Sequence, residues 1–335
     1  MPDPWVARLA RCSLCRLNAR CLAKATVAVC MCTSKSSRLQ YNDNMRVYER
    51  DKAEVEMTKT AVLAGAYLHH LAFESSKPAR LAAFYGAVMD MVVTQLSQSD
   101  WRCEGPGRRL LVGLGTDKQM GYAGFACRDK AGLTALRLRA QQEDLDILDS
   151  PSPYFQSGAF ALRDPNGQIL CFGVAQPAPP CLVGLPGPVQ HLTFAATDVE
   201  AFVAFYQGKL GFSLTDRVVQ DGGGLATAFV TSNHEHHTLA CFKSDRNGMD
   251  HHSYEAGDWA YIRDWCDHFA TQDIQLAWGP GRHGPGNNLF VFITDPDGNW
   301  IEVSAELEVI YDRGAVDWPH HPRTLNKWGC AMMRS

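Results

Sequence analysis

The chain repeats itself, so its fold must contain two similar units. The stretch HLAFESSKPARLAAFY, residues 70–85, matches HLTFAATDVEAFVAFY, residues 191–206. Each copy opens with alternating residues, a strand signal, and then shifts to helical spacing at Leu81, Phe84 and Tyr85 or at Phe202, Phe205 and Tyr206. Lys77-Pro78 and Thr197-Asp198 supply the helix starts. The Phe-Tyr pairs that close each copy read as helix core.

The ends of the units repeat as well. DPNGQILC at 164–171 matches DPDGNWIE at 295–302. Asp-Pro-x-Gly is a turn signal, because Pro fixes φ and Gly accepts a positive φ. Unit one therefore runs over about 66–178 and unit two over about 187–310. A linker rich in Pro and Gly, QPAPPCLVGLPGP at 176–188, joins them. Residues 311–335 form a tail expected to pack over one unit. Each unit reads as strand, helix, several strands and a closing hairpin, which is α+β with a mostly antiparallel sheet.

Residues 1–60 stand apart as a basic, Cys-rich extension. Over 1–44 there are seven Lys/Arg against Asp3 and Asp43, and five of the twelve Cys. Such a start reads as a disordered tail or upstream extension, with an organelle transit peptide as the alternative. Cys12-x-x-Cys15 is half of a zinc pattern without a second half. The other Cys are scattered singly, which points to a reducing compartment and no disulfide framework. A net charge of −4 gives no reason to expect nucleic acid as a partner. No apolar run approaches the ~18 residues of a membrane span. The expected location is cytoplasmic.

The polar residues separate the units. Unit one has His69 and His70 and no further His, and carries Cys171 where unit two has Glu302. Unit two has His191, a cluster at His234, His236 and His237, the pair His251-His252, and His283. Two neutral imidazoles and one carboxylate with open coordination positions form the facial triad of non-haem Fe(II) oxygenases. His191, His252 and Glu302 are the candidate ligands. Glu302 sits mid-strand between Ile301 and Val303 and so faces the opposite, concave side. A carboxylate there is costly unless something such as a metal pairs it. His234 and His236 read as solvated turn residues, His251 as a neighbour of the ligand, and His320 and His321 as surface or packing residues. Gly222-Gly223-Gly224 reads as a turn, since it lacks the context of a phosphate-binding loop.

With His-Leu-Thr-Phe at 191–194, His251-His252, Gly281-Arg-His283 and Asp295-Pro-x-Gly-x-x-x-Glu302, residues 66–310 resemble the vicinal oxygen chelate superfamily. More narrowly they resemble its two-domain type I extradiol ring-cleavage dioxygenases. The resemblance implies two tandem domains, each of paired βαβββ modules, with a metal only in the C-terminal one. It implies Fe(II), or Mn(II), as cofactor, a catecholic diol and O2 as partners, ring opening beside the hydroxyls, and a homo-oligomer. It makes His191, His252 and Glu302 the metal ligands, His237 the acid–base residue and His283 a residue on the substrate or oxygen side. A group with an ordinary pKa near 6.5 suits that proton traffic. The family's Tyr ten residues before the ligand Glu is Phe292 here, which a hairpin centred on Asp297 sets opposite Glu302. Tyr254 is the candidate to supply the missing phenol. Two other readings stay open: a non-oxidative metal-dependent lyase or isomerase, and a metal-free small-molecule binding protein.

Overall fold

The computed structural model describes residues 59–333, apart from 179 and 182. The reading of a Cys-rich basic extension, its Cys12-x-x-Cys15 included, lies outside these residues.

The repeat becomes four βαβββ modules. The first is β1 (Tyr67–Ser75), α2 (Pro78–Ala87), β2 (Val92–Gln95), β3 (Trp101–Gly105) and β4 (Arg108–Leu114), preceded by a short helix α1 (Thr60–Leu63). The second is β5 (Gln119–Cys127), α3 (Lys130–Gln142), β6 (Leu148–Asp149), β7 (Phe160–Arg163) and β8 (Ile169–Val174). The third is β9 (Val189–Ala196), α4 (Val199–Val203, continued by a wider turn over Ala204–Lys209), β10 (Ser213–Val219), β11 (Leu225–Thr231) and β12 (Leu239–Lys243). The fourth is β13 (Gly248–Gly257), α5 (Trp259–Thr271), β14 (Trp278–Arg282), β15 (Leu289–Thr294) and β16 (Trp300–Ala305).

Within each module the first strand pairs parallel with the last: β1 with β4, β5 with β8, β9 with β12 and β13 with β16. The modules then join antiparallel through their first strands, β1 to β5 and β9 to β13. This gives one sheet of eight strands and a second of nine. The ninth comes from the tail, where β17 (Val316–Pro319) adds to the edge of β10 and is followed by a short helix α6 (Pro322–Leu325).

The two repeated motifs explain one another. In each Asp-Pro-x-Gly turn one carboxylate oxygen accepts two backbone N–H groups: Asp164 from Asn166 and Gln168, Asp295 from Asp297 and Asn299. Gly167 and Gly298 follow at φ of 86° and 85°, where a side chain would be strained. The second oxygen of each Asp accepts a phenol from the other half. Tyr85 donates to Asp295 at 3.2 Å, and Tyr206 to Asp164 at 3.0 Å. The Phe-Tyr ending is thus more than helix core, since its Tyr bonds the two sheets reciprocally across a shared interior.

Candidate metal centre

Three neighbouring strands of the second sheet, in the order β16, β13, β9, bring the candidate ligands to one face. His191 lies on β9, His251 on β13 and Glu302 on β16. Their ligand atoms all lie within 4.8 Å of one another, and all three residues are buried. His191 Nε2 is 2.8 Å and His251 Nε2 3.5 Å from Glu302 Oε2.

His252, expected as a ligand, is turned away. Side chains on directly paired residues of adjacent strands share a face, and successive residues alternate. Glu302 pairs with Ser253, so the odd residues 251 and 253 share its face. His252 pairs with Ile301 and Leu192 and shares theirs, which is core. Its Nε2 lies 3.2 Å from the Tyr85 hydroxyl and its ring packs on Phe73, so it belongs to the interface between the sheets. Burial, with the nearby His251 and His191, pushes its pKa down to about 3. Tyr254 follows the same phase. It is buried against His252 and cannot reach the concave face to replace a missing phenol.

The outer nitrogens of the two ligand-type histidines are held. His251 Nδ1 donates to Asp250 at 2.7 Å, and His191 Nδ1 approaches the Gln190 side-chain oxygen at 3.3 Å. The Gln190 amide nitrogen is engaged by Glu235 at 3.1 Å and by Glu255. That turns its oxygen to His191, so both imidazoles present Nε2 inward. Asn288 adds a donor to Glu302 Oε1 at 3.3 Å. Burial alone would raise the Glu302 carboxyl, but His191, His251 and His283 hold it well below the usual range. Burial keeps His191 neutral against the pull of Glu302. His251 feels the same burial, yet Asp250 and Glu302 together raise it. Two Nε2 lone pairs and an ionised carboxylate on one rigid face, each backed by an outer partner, are the donor set that fits a divalent transition metal.

His237 and His283 flank this triad in one pocket, with Val218, Phe229, Phe242 and Leu325 as apolar wall and His320, His321 and Thr324 at the rim. The His237 ring centroid is 4.2 Å from that of His191, and burial, with His191 and His236 beside it, keeps it neutral. His283 Nε2 lies 3.5 Å from Glu302 Oε1. Phe292 pairs with Glu302 as the hairpin register requires. Its ring meets His251 edge-on at 5.2 Å and stacks on Trp278 at 5.3 Å, so it backs a ligand and faces a smaller adjoining cavity. His236 is fully buried beside Asp216, where a solvated turn residue was expected. Gln190, Asp216, Asp250 and Asn288 had no sequence signal strong enough to single them out.

Residues 189–303 match the family model described as the Glyoxalase/Bleomycin resistance protein/Dioxygenase superfamily. The chain is 24% identical over 228 residues to Metapyrocatechase 2 of Cupriavidus necator, covering 61% of this chain and 69% of that protein. It is 26% identical over 148 residues to Metapyrocatechase of Pseudomonas sp. (strain CF600), covering 41% of this chain and 48% of that one. Among solved structures, the fold matches homoprotocatechuate 2,3-dioxygenase from Arthrobacter globiformis with a TM-score of 0.68 at 19% identity, over 80% of this chain and 88% of that one. It also matches the Mn(II)-bound glyoxalase from Novosphingobium aromaticivorans with a TM-score of 0.66 at 17% identity, over 80% and 93%. Residues 189–303, which hold the His-His-Glu cluster, thus carry a domain of the Glyoxalase/Bleomycin resistance protein/Dioxygenase superfamily, and the four-module fold around it is similar to that of homoprotocatechuate 2,3-dioxygenase.

Proposed function

We propose that the protein is an Fe(II)-dependent extradiol dioxygenase acting on a small aromatic vicinal diol, with His191, His251 and Glu302 as metal ligands. The observation that carries this reading is the convergence of two Nε2 atoms and one carboxylate at the floor of a pocket that two further histidines flank. The half spanning 66–178 serves as the metal-free domain and 187–310 as the catalytic one. An iron ion bound there supplies Lewis acidity toward both diol oxygens and a site for O2.

The chain's own groups supply the rest. His237, held neutral by burial, takes a proton from a diol hydroxyl at Nε2 and returns it during ring opening. His283 turns Nε2 toward the substrate side, because Nδ1 donates to the Leu325 carbonyl. Val218, Phe229 and Phe242 hold the aromatic ring and exclude water. Phe292 offers no hydrogen bond, so the contact that a phenol makes in relatives is missing from this pocket.

The test is anaerobic reconstitution with Fe(II), addition of 3-substituted catechols, and measurement of O2 uptake and of the yellow ring-opened product. Uptake with coloured product is the expected result. Bound iron without uptake across a broad catechol panel refutes the reading and favours the second one, a non-oxidative metal-dependent lyase or isomerase. The absent phenol at Phe292 and the fold shared with a Mn(II)-bound glyoxalase keep that alternative in view.

A further inference from the structure

We infer that the C-terminal tail sets the rings of both pocket histidines: Leu325 fixes His283 directly, and Trp318 and Arg313 fix His237 through Asp216 and His236. The roles of the two histidines rest on the proposed function; the orientation rests on geometry alone.

His283 Nδ1 is 2.6 Å from the Leu325 carbonyl oxygen. A carbonyl only accepts, so Nδ1 carries the proton and Nε2 is left for the pocket. The tail is pinned there by backbone bonds from Gly284 to Thr324 and from Lys327 to Arg282, at 2.8 and 2.7 Å.

The route to His237 is longer. Asp216 is buried on β10, beside the tail strand β17, with Val316 as its register partner. Its Oδ2 accepts the Trp318 indole N–H at 2.7 Å, and its Oδ1 accepts from Arg313 at 2.9 Å. Arg313 is itself clamped by both oxygens of Glu308 at 2.7 Å. Burial would raise the Asp216 carboxyl, but His236, Trp318 and Arg313 hold it below the usual value. His236 Nε2 sits 3.0 Å from the same Oδ2, a short but bent approach of a ring nitrogen to a carboxylate. With Nε2–H turned to Asp216, His236 Nδ1 accepts, and it lies 2.9 Å from His237 Nδ1. His237 therefore donates from Nδ1 and turns Nε2 into the pocket. An acceptor behind an imidazole fixes both its tautomer and its ring plane.

A tail that merely covers the pocket would act through the rim residues His320, His321 and Thr324. Asp216, His236 and Trp318 do not themselves line the pocket; Trp318 packs from behind on the cluster of Val218 and Phe229, and the conservative change to Phe keeps an aromatic ring there. The full-length iron enzyme carrying Trp318→Phe or Asp216→Asn is the test. Expected are an unchanged iron content, a catechol KM close to wild type, and a kcat lower by about 10–100-fold, the effect typical of lost outer-partner orientation. Nitrogen-15 spectra of histidine-labelled, metal-free protein give a readout independent of turnover. Wild type should show His237 and His283 as Nδ1–H tautomers, and Asp216→Asn should mix the His237 tautomers. Should wild type take up no O2, the proposed function fails while these spectra still decide the orientation. The inference is overturned if both variants keep wild-type kcat and spectra, if iron is lost in step with kcat, or if either histidine is the Nε2–H tautomer in wild type.

Discussion

The two sheets share a plan and differ at two of three corresponding positions. The registers equate His70 with His191, Tyr122 with His251, and Cys171 with Glu302. In the first sheet the concave face is filled. His70 Nε2 lies 2.8 Å from the Ser152 hydroxyl, and its ring is surrounded by Tyr122, Tyr154 and Phe155. Burial pushes the Cys171 thiol up to about 12, so it stays neutral. In the second sheet the same face is open and holds an ionised carboxylate between imidazoles. One scaffold can therefore carry a packed core or a candidate metal centre according to two side chains and the loop laid over them.

The sharpest way to break this comparison is within β13. Replacing His251 by Ala should lower metal affinity by more than about 100-fold, since even an outer partner is worth about 10–100-fold. Replacing His252 by Ala should leave metal binding intact and cost about 1–3 kcal/mol of stability, because a buried interface group is removed. Metal titration and thermal melts of both variants decide it; the reverse pattern would mean that β13 turns His252, not His251, to the concave face. The reciprocal bonds come next. Tyr85→Phe and Tyr206→Phe each remove a buried phenol donor to a carboxylate, at about 1–3 kcal/mol. The double variant should cost close to the sum, because the two bonds share no partner. Denaturant midpoints check this, and an undisturbed midpoint in either single variant would make the cross-bonds incidental.

Much of this was legible in the sequence, and the failures have identifiable reasons. The repeats fix the number of units, the Asp-Pro-x-Gly turns fix the closing hairpins, and the pairing of Phe292 with Glu302 follows from a turn centred on Asp297. His252 reads as the ligand only while the phase of its own strand is left out. Tyr254 and Ala256, the apolar residues that follow the pair, set the even positions from 252 onward in the core, while Met249 joins the core out of that phase because the strand is irregular between it and His251. His236 sits among polar neighbours, and local polarity says nothing of a carboxylate arriving from twenty residues earlier. Tyr85 and Tyr206 read as core in the sequence because their partners lie in the opposite half of the chain. Arg108 is a similar case: fully buried, it donates to the carbonyls of Met89, Asp90, Leu185 and Gly187 and so anchors the linker, an assignment only tertiary contact supplies.

The smallest effect concerns an acid that only the second half carries. Glu255 of β13 corresponds to Ala126 of β5. Burial, with Glu235 nearby, raises its pKa to about 7, against an ordinary value of 4.5. The folded state thus holds its proton to higher pH than the unfolded chain does. Below about pH 4.5 the group is protonated in both states and costs nothing. As pH rises toward 7 the unfolded chain ionises first, so stability falls across that window and the full penalty is present above it. Partial exposure of Glu255 limits the effect to about 1–3 kcal/mol. Glu255→Gln mimics the protonated form. It should be about neutral at pH 5, stabilising at pH 8, and should flatten the fall in melting temperature between them. If the variant retains the wild-type slope, the pH dependence originates elsewhere, and the ionisable groups around Gln190 are not where the second half departs energetically from the first.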